Sequence, residues 1–562
     1  MSAAPALSAA TQKGFAIKSF QNGPLSLFKS STDDTEDDLL VSGPVQVIGQ
    51  ARNEDSGDWH NVVIYTDRDD NNRQWLMPMG LLAGDKTEAI RELLQRGLFI
   101  ASGSKAKTAL FNYLHYGGRK NYTTVYQSGW HGEQFVLPDG KVIGGGDDNQ
   151  LLLINPATKK RTVGTLALWQ RNVSAKCVSN SRLAFSVSSA LAGPLLAIAG
   201  VEGGGVHLRG GSSTGKSTAL RVAQSVHGNG EKLSTWCATK NGLEGVAAKH
   251  NHSALVIDEI GESDANSVGP IIYQLGNGTG KTRANRDGSG KDPVRFLLVF
   301  ITSGEKTLSE QMRTGRAGEA MAGQEIRLLN IESDAGAGMG VFECIHDSET
   351  PQLFADELGG QAMENSGHAG PAFIEYIVNH RDECTAIIDE VRETFRVECK
   401  DAHPQVQRAA TRFALIAAAG DIATQAGITK WPEGQAIRAA WTCFKVWLDN
   451  WSPSGSRENE KAIEQVRAFI QEHASRFEDG NKTGTVHNRA GFIGVDGSEY
   501  WIIPKTFKYE ICAGLSPTTV ISALRADGFL NIDSDDKPQA RRTPDGAKRQ
   551  RFYVVNESIL GD

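Results

Sequence analysis

The sequence predicts an α/β protein: a P-loop core of alternating strands and helices, preceded by an α+β region and followed by a helical lid and a C-terminal winged helix. Three observations carry that prediction. The run HLRGGSSTGKSTALRVA, residues 207–223, reads as a strand end, a glycine-rich turn and a helix start, and it fits G-x-x-x-x-G-K-[ST]. The run NHSALVIDEIGE, residues 251–262, places four apolar residues, Ala254 to Ile257, before Asp258 and Glu259, the pattern of a buried strand with an acidic end. Between Lys216 and Asp258 lie 42 positions, room for the P-loop helix, a strand in KLSTWCA and a helix around GLEGVAAKH. That interval implies a further strand between the P-loop strand and the acidic strand in the sheet. This order marks the additional-strand (AAA+) P-loop ATPases and differs from the kinase-like order.

The chain, 562 residues long, is too long for one core. Residues 1–40 end in the acidic run STDDTEDD and read as a flexible, solvated tail. In residues 41–150, WHNVVIYTDRDDNNRQWLMPM gives two strands around a polar turn, TEAIRELLQRGL has helical spacing, and FVLPDGKVIG is a hairpin around Asp139-Gly140. The core spans 151–345. Residues 346–470, with RDECTAIIDEVRETFRVE and QRAATRFALIAAAGDIATQAG, read as an amphipathic helical lid. In 471–562, PKTFKYEICAG and SPTTVISALRADGFL read as two helices, the second capped by Ser516 with Pro517 at its first position. LNID and RQRFYVVNES then flank a basic loop, which completes a helix-turn-helix with a β-wing.

The motifs imply ATP and Mg²⁺. Gly210, Gly211, Ser212, Ser213, Thr214 and Gly215 offer backbone N–H groups to a polyphosphate, with Lys216 reaching the β/γ-phosphates, Ser217 on the metal and Thr218 continuing the helix start. Asp258 is the second metal-ordering group, and Glu259 is placed to polarise water for attack on the γ-phosphate. Downstream, VRFLLVFIT is an apolar strand ending at Thr302 and Ser303, either of which could orient that water; Ser303 is the assigned candidate. Arg313, Arg316 and Arg327 follow, and one of them acting on a neighbouring subunit's γ-phosphate would serve as an arginine finger; Arg327 is favoured. Arg408 or Arg412 could reach the phosphates from the lid. TRAN and VRFLLVFIT flank the turn RDGSGKD as a hairpin whose second arm is the core strand. The wing offers Arg541, Arg542, Lys548, Arg549 and Arg551 to phosphates.

Composition is that of an ordinary globular protein, 40% apolar and 22% charged, with a net charge of −7 that argues against a surface coated with nucleic acid. Seven dispersed cysteines without C-x-x-C pairs suggest neither a disulfide framework nor a zinc knuckle, and His250 and His252 lack further ligands at metal spacing. The first residues lack a secretory signal, and the longest apolar run, Ala190 to Val201, is too short and too broken to span a bilayer, so the expected location is cytoplasmic.

The strings FSVSSALAGPLLAIAGVEGGGVHLRGGSSTGKSTAL, TWCATKNGLEGVAAKHNHSALVIDEIGE, YQLGNGTGKTRANRDG and ITSGE, with WLMPMGLLAG and SGWHGEQFVLPDG upstream, resemble the family called domain of unknown function 927 over residues 40 to 330. That family occurs in phages, prophages and other mobile elements, and its ATPase core is similar to the minichromosome-maintenance group and superfamily 3 replicative helicases. The resemblance implies a homo-hexameric ring with single-stranded DNA in its channel. It also implies that the hairpin grips the DNA backbone, with Lys281, Arg283, Arg286 and Lys291 as the available cations. A ring is compatible with net negative charge, because only the channel need be positive. Where many such helicases have a sensor asparagine, this chain has TSGE; no primase motif is visible, so priming would fall to a separate protein. The function expected is an ATP-dependent DNA helicase. The competing readings are a nucleotide-switched ATPase acting in assembly, initiation or defence without unwinding, and a P-loop kinase, which Glu259 and the extra strand disfavour.

Overall fold

The computed structural model describes residues 14–19, 24–31, 37–53, 57–115, 118, 120–145, 150–156, 162–228, 233–236, 240–280, 283–284, 290–291, 293–315, 320–451, 454–479, 486–494, 497–531, 539–542 and 549–561. The chain divides into two compact units, Met1–Asp449 and Asn450–Asp562.

The first unit begins with an antiparallel sheet of Phe15–Ser19, Leu25–Lys29 and Leu39–Ser42. For these strands this corrects the expectation of a solvated tail over residues 1–40, of which 1–13, 20–23 and 32–36 lie outside the described residues. FAIKS and LSLFK place Phe15 and Leu27 in one core with Val41, Trp75 and Leu93, and that burial outweighs the acidic run that follows them. Asp38, at the end of that run, accepts a hydrogen bond from Ser31 N at 2.9 Å and pairs with Lys18. A five-stranded sheet follows, in spatial order Gln150–Leu153, Lys120–Val125, Val45–Asn53, Trp59–Thr66 and Asn72–Pro78. The last two strands pair antiparallel around the polar turn, and helices Lys86–Gln95 and Ser104–Leu114 accompany them.

The core is a five-stranded sheet in spatial order Ser234–Thr235, Ala254–Asp258, Val299–Gly304, Gly204–Arg209, Leu328–Glu332, with every neighbouring pair parallel. The strand Val299–Gly304 lies between the P-loop strand and the acidic strand. It is buried along its whole length, as a central parallel strand covered on both faces must be. Helix Ser181–Leu191 is also buried throughout. Ser186 and Ser189 are tolerated there because their hydroxyls donate at 2.7 Å to the carbonyls of Arg182 and Phe185 one turn back. It packs on the P-loop helix Lys216–Ser225 and on the long helix Pro404–Gln425, where the Phe185 and Phe413 rings stack with centroids 5.4 Å apart.

The hairpin differs in one respect from the expectation. Arg283–Ala284 pairs with Gly290–Lys291, and the legs continue through Gly280 N to Val294 O at 2.7 Å and Phe296 N to Gly278 O at 2.8 Å. The second leg changes partners at Leu297–Leu298 and only then becomes the core strand, so arm and core strand are consecutive rather than one element.

Helices Pro351–Glu364, Ala369–Asn379, Arg381–Glu398, Pro404–Gln425 and Gln435–Asp449 complete the first unit. Helix Ser454–Glu472, expected within the lid span, belongs to the second unit. Its Ala462, Ile463, Val466 and Ile470 share a core with Val520, Ala523 and Leu524 of helix Pro517–Ala526. That unit's sheet runs Phe477–Asp479, Gly491–Ile493, Glu499–Ile502, Arg549–Asn556, Leu530–Asn531, with Gln539–Arg542 also paired to Arg549–Asn556 as a wing. Ser516 caps Pro517–Ala526 by accepting from Thr518 N at 3.3 Å. Among the described residues no helix is long and apolar enough to cross a membrane.

Candidate nucleotide site and nucleic-acid hairpin

The turn from Gly210 to Gly215 follows the carboxyl end of the strand Gly204–Arg209 and opens helix Lys216–Ser225. Two of its residues have left-handed backbone, Ser213 at φ +60° and Gly215 at φ +86°. Such conformations suit a loop whose N–H groups converge. Lys216 is buried at its base, with Nζ donating to Gly210 O at 2.7 Å and to Gly211 O. The Thr214 hydroxyl donates to Gly211 O at 3.1 Å, and Thr218 Oγ1 donates to Ala355 O at 3.4 Å. Gly211 has open space where a side chain would stand.

Across the sheet, Ser217 Oγ donates to Asp258 Oδ2 at 3.4 Å, and Ser303 Oγ donates to Asp258 Oδ1 at 2.5 Å. The Glu259 backbone N–H reaches both Asp258 Oδ1, at 3.1 Å, and Ser303 Oγ, at 3.3 Å. Glu259 itself has φ +50°, an uncommon conformation for a non-glycine residue and one held here by these bonds. Its carboxylate accepts from Gly261 N at 3.0 Å. Thr302 and Ser303, equal candidates by position, are separated by strand alternation. Thr302 Oγ1 faces the other side and accepts from Trp236 Nε1 at 2.9 Å, which leaves Ser303 beside the Asp258 carboxylate.

The arginines fall at different ends of the sheet. Arg327 precedes the strand Leu328–Glu332, at the level of Gly204 rather than of Gly210. Six strand residues, roughly 20 Å, separate it from its own phosphate loop. It donates to Asn277 Oδ1 at 2.8 Å and Gly323 O at 2.6 Å and lies 4.4 Å over the exposed Tyr273 ring. Arg313 ends helix Leu308–Arg313 on the surface, and Arg316 lies outside the described residues. Arg412 corrects the lid expectation: it is buried at the amino end of the P-loop strand, donating to Ile326 O at 2.9 Å and Gly203 O at 3.3 Å. Burial pushes its guanidinium down to about 10. It cannot turn to the glycine-rich loop without leaving those carbonyls, and Arg408 is exposed one turn earlier on the same helix.

One contributor is not evident from motif spacing. Segment Ser333–Phe342, just after the last core strand, lies against the phosphate loop: Val341 N donates to Thr214 O at 2.9 Å, and the Ser333 and Thr214 hydroxyls are 3.2 Å apart. A Cβ on Gly210 would meet Ser333 Oγ at 2.0 Å, and one on Gly215 would meet Val341 Cγ2 at 2.8 Å. Packing therefore favours glycine at both fingerprint positions, and at Gly215 the left-handed backbone favours it as well. The glycine run in SDAGAGMG is the signal that could have found it. His207, opposite Thr302, is fully buried; desolvation pushes it down to about 4, so it is neutral at physiological pH, with Nε2 on Lys306 O at 2.9 Å.

Of the hairpin cations, Arg283 stands opposite Lys291 in register, while Lys281 and Arg286 lie outside the described residues. In the wing, Arg541 is paired with Gln550 and Arg542 with Arg549; Arg549 and Arg551 are exposed, and Lys548 lies outside the described residues. His250 Nδ1 meets Val246 O at 2.9 Å, and no group of metal-ligating His, Cys, Asp and Glu is found among the described residues.

The chain joins an α/β core, in which a glycine-rich loop meets an acidic strand end, to a separate helix-turn-helix unit. Residues 21–295 match the family described as Domain of unknown function (DUF927), and residues 458–558 match the Cch helix turn helix domain. That match overlaps residues 40 to 330, the span over which the motifs resemble the DUF927 family. Among solved structures it is similar to one titled "SCCmec type IV Cch - active helicase", with TM-score 0.71 and 19% identity over 99% of this chain and 100% of that one. At that identity the likeness is one of fold. No curated protein matches in sequence.

Proposed function

We propose that this chain is an ATP-dependent DNA translocase of the AAA+ type, working as a ring in the replication of a mobile element. The observation that carries the reading is a continuous path. The second leg of the hairpin Arg283–Lys291 leads, through Leu297 and Leu298, into the core strand Val299–Gly304, whose Ser303 is hydrogen-bonded to Asp258. Movement of DNA at the hairpin and chemistry at Asp258 are thus joined by one consecutive stretch of chain. The spatial order of the core sheet supports the additional-strand assignment, and the fold likeness to a structure titled as an active helicase supports unwinding.

In this reading Gly210 to Thr218 hold the triphosphate of ATP, with Lys216 leaving its loop carbonyls for phosphate oxygens. The hydroxyl of Ser217 and the carboxylate of Asp258 form a hard-oxygen donor pair that fits Mg²⁺, which would supply charge neutralisation at the phosphates. Ser303 fixes the Asp258 carboxylate, and Glu259 takes the proton from the attacking water. Arg327 of an adjoining copy completes the site, because it lies at the end of the sheet remote from its own loop. The wing arginines contact duplex DNA, and the N-terminal region, core, lid and winged helix act as separate functional parts. A nucleotide-driven switch without unwinding shares every part except the need for hairpin cations. Replacing Lys281, Arg283, Arg286 and Lys291 by alanine is expected to leave ATP hydrolysis in the absence of DNA intact and to abolish its stimulation by single-stranded DNA. Full stimulation in that variant would favour the switch.

A further inference from the structure

We infer that segment Gln127–Trp130 is a coupling strap, and that Asn251 and His252 are positioning residues that tie the base of the hairpin to the start of the acidic strand. This rests on the translocase reading above. Six hydrogen bonds converge there from three stretches of chain distant in sequence. Gln127 Nε2 donates to Arg295 O at 2.8 Å, on the second hairpin leg. Ser128 Oγ donates to Lys249 O at 3.3 Å, and Ser128 O accepts from Asn251 Nδ2 at 2.9 Å. The other end of the same amide, Asn251 Oδ1, accepts from Leu297 N at 2.9 Å, so one buried side chain bridges the strap and the hairpin exit. His252 N donates to Leu297 O at 2.7 Å, and His252 Nδ1 accepts from Trp130 N at 2.9 Å.

The arrangement leaves little slack. Gly129 has φ +112°, and a Cβ there would fall 2.5 Å from His252 Nδ1 and 2.9 Å from Asn251 Nδ2. His252 has left-handed backbone at φ +52°. Its burial holds the imidazole down to about 4, so the ring is neutral, and the bond from Trp130 N assigns the lone pair to Nδ1. Trp130 is anchored in turn by Nε1 to Pro194 O at 2.8 Å and lies under Arg381, 5.1 Å from its ring centroid. Two residues beyond His252 the acidic strand begins and leads to Asp258; two residues beyond Leu297 the Ser303 strand begins. A shift of the hairpin legs therefore displaces Asn251 and His252, and through them the strand bearing Asp258 and Glu259, by a route independent of Ser303.

The amide of Asn251 allows the two links to be separated. Asn251→Asp keeps an oxygen for Leu297 N but loses the donor to Ser128 O and sets a carboxylate against that carbonyl. Gln127→Ala removes the bond to Arg295 O at a less buried position. The experiment measures ATP turnover with and without a poly(dT) oligonucleotide, oligonucleotide affinity by anisotropy, and thermal melting, for wild type and both variants. The expected result is turnover without DNA and oligonucleotide affinity within about twofold of wild type, with stimulation by DNA reduced at least fivefold in Asn251→Asp and partly in Gln127→Ala. Undiminished stimulation in both variants overturns the strap while leaving the translocase reading standing. Loss of basal turnover or of DNA affinity in proportion to lost stimulation, or an unfolded Asn251→Asp together with a fully stimulated Gln127→Ala, shows a merely structural contact and also overturns it. A wild-type protein indifferent to DNA removes the translocase reading and this inference with it.

Discussion

Glu259→Gln is expected to bind ATP with near wild-type affinity and to hydrolyse it about 10²–10⁴-fold more slowly, the range lost when a positioned general base is removed. The substitution is close to isosteric, and an amide oxygen can still accept from Gly261 N, so the local turn and its left-handed backbone are retained. What is lost is a carboxylate beside the Asp258–Ser303 pair. Lys216→Ala makes the contrasting control: it removes the cation at the phosphate loop and is expected to weaken nucleotide binding itself. Equilibrium binding of a fluorescent ATP analogue beside steady-state phosphate release separates the two. Hydrolysis at the wild-type rate by Glu259→Gln would remove Glu259 from the mechanism.

Arg327→Ala carries the second large effect. An arginine finger contributes about 10³–10⁵ in turnover, so the variant alone is expected to be nearly inactive at any protein concentration. Because Arg327 sits at the opposite end of the sheet from its own loop, its loss should be repaired by a neighbour. In a mixture of Arg327→Ala and Glu259→Gln chains, a site formed by Glu259 of the first and Arg327 of the second is complete. Phosphate release should therefore reappear on mixing two inactive proteins. If mixing restores nothing while the two proteins co-assemble, Arg327 is not the group acting between copies, and its bonds to Asn277 and Gly323 describe its whole role.

The parts that were legible in the sequence are those where short-range chemistry dictates residue type. Gly210, Gly215, Lys216 and Asp258 are marked by a glycine-rich loop pattern and an apolar run with an acidic end, whereas the strand that separates the two in the sheet, Val299–Gly304, follows both in the chain, and the strand within the interval, Ser234–Thr235, lies at the sheet edge. Other features depend on register or on distant partners. Strand alternation separates Ser303 from Thr302, but which of them faces Asp258 is decided by how Ala254–Asp258 and Val299–Gly304 align. Periodicity marks the inward face of Pro404–Gln425 without saying which end of the sheet Arg412 meets. A local excess of acid obscured the alternating apolar residues in FAIKS and LSLFK, whose burial needs Trp75 and Leu93 from elsewhere in the chain. The amphipathic face of Ser454–Glu472 fits a lid or a winged-helix core equally well until Val520 and Leu524 are found against it. The strap at Gln127–Trp130 carries no motif, since each of its bonds pairs one side chain with a backbone group, across stretches distant in sequence.

The most direct test of the central claim is ATP hydrolysis by the full chain with and without single-stranded DNA, beside Glu259→Gln. The account predicts turnover that rises strongly with DNA and is lost in the variant. Turnover that is lost in the variant but identical with and without DNA would leave the nucleotide site intact and contradict translocation.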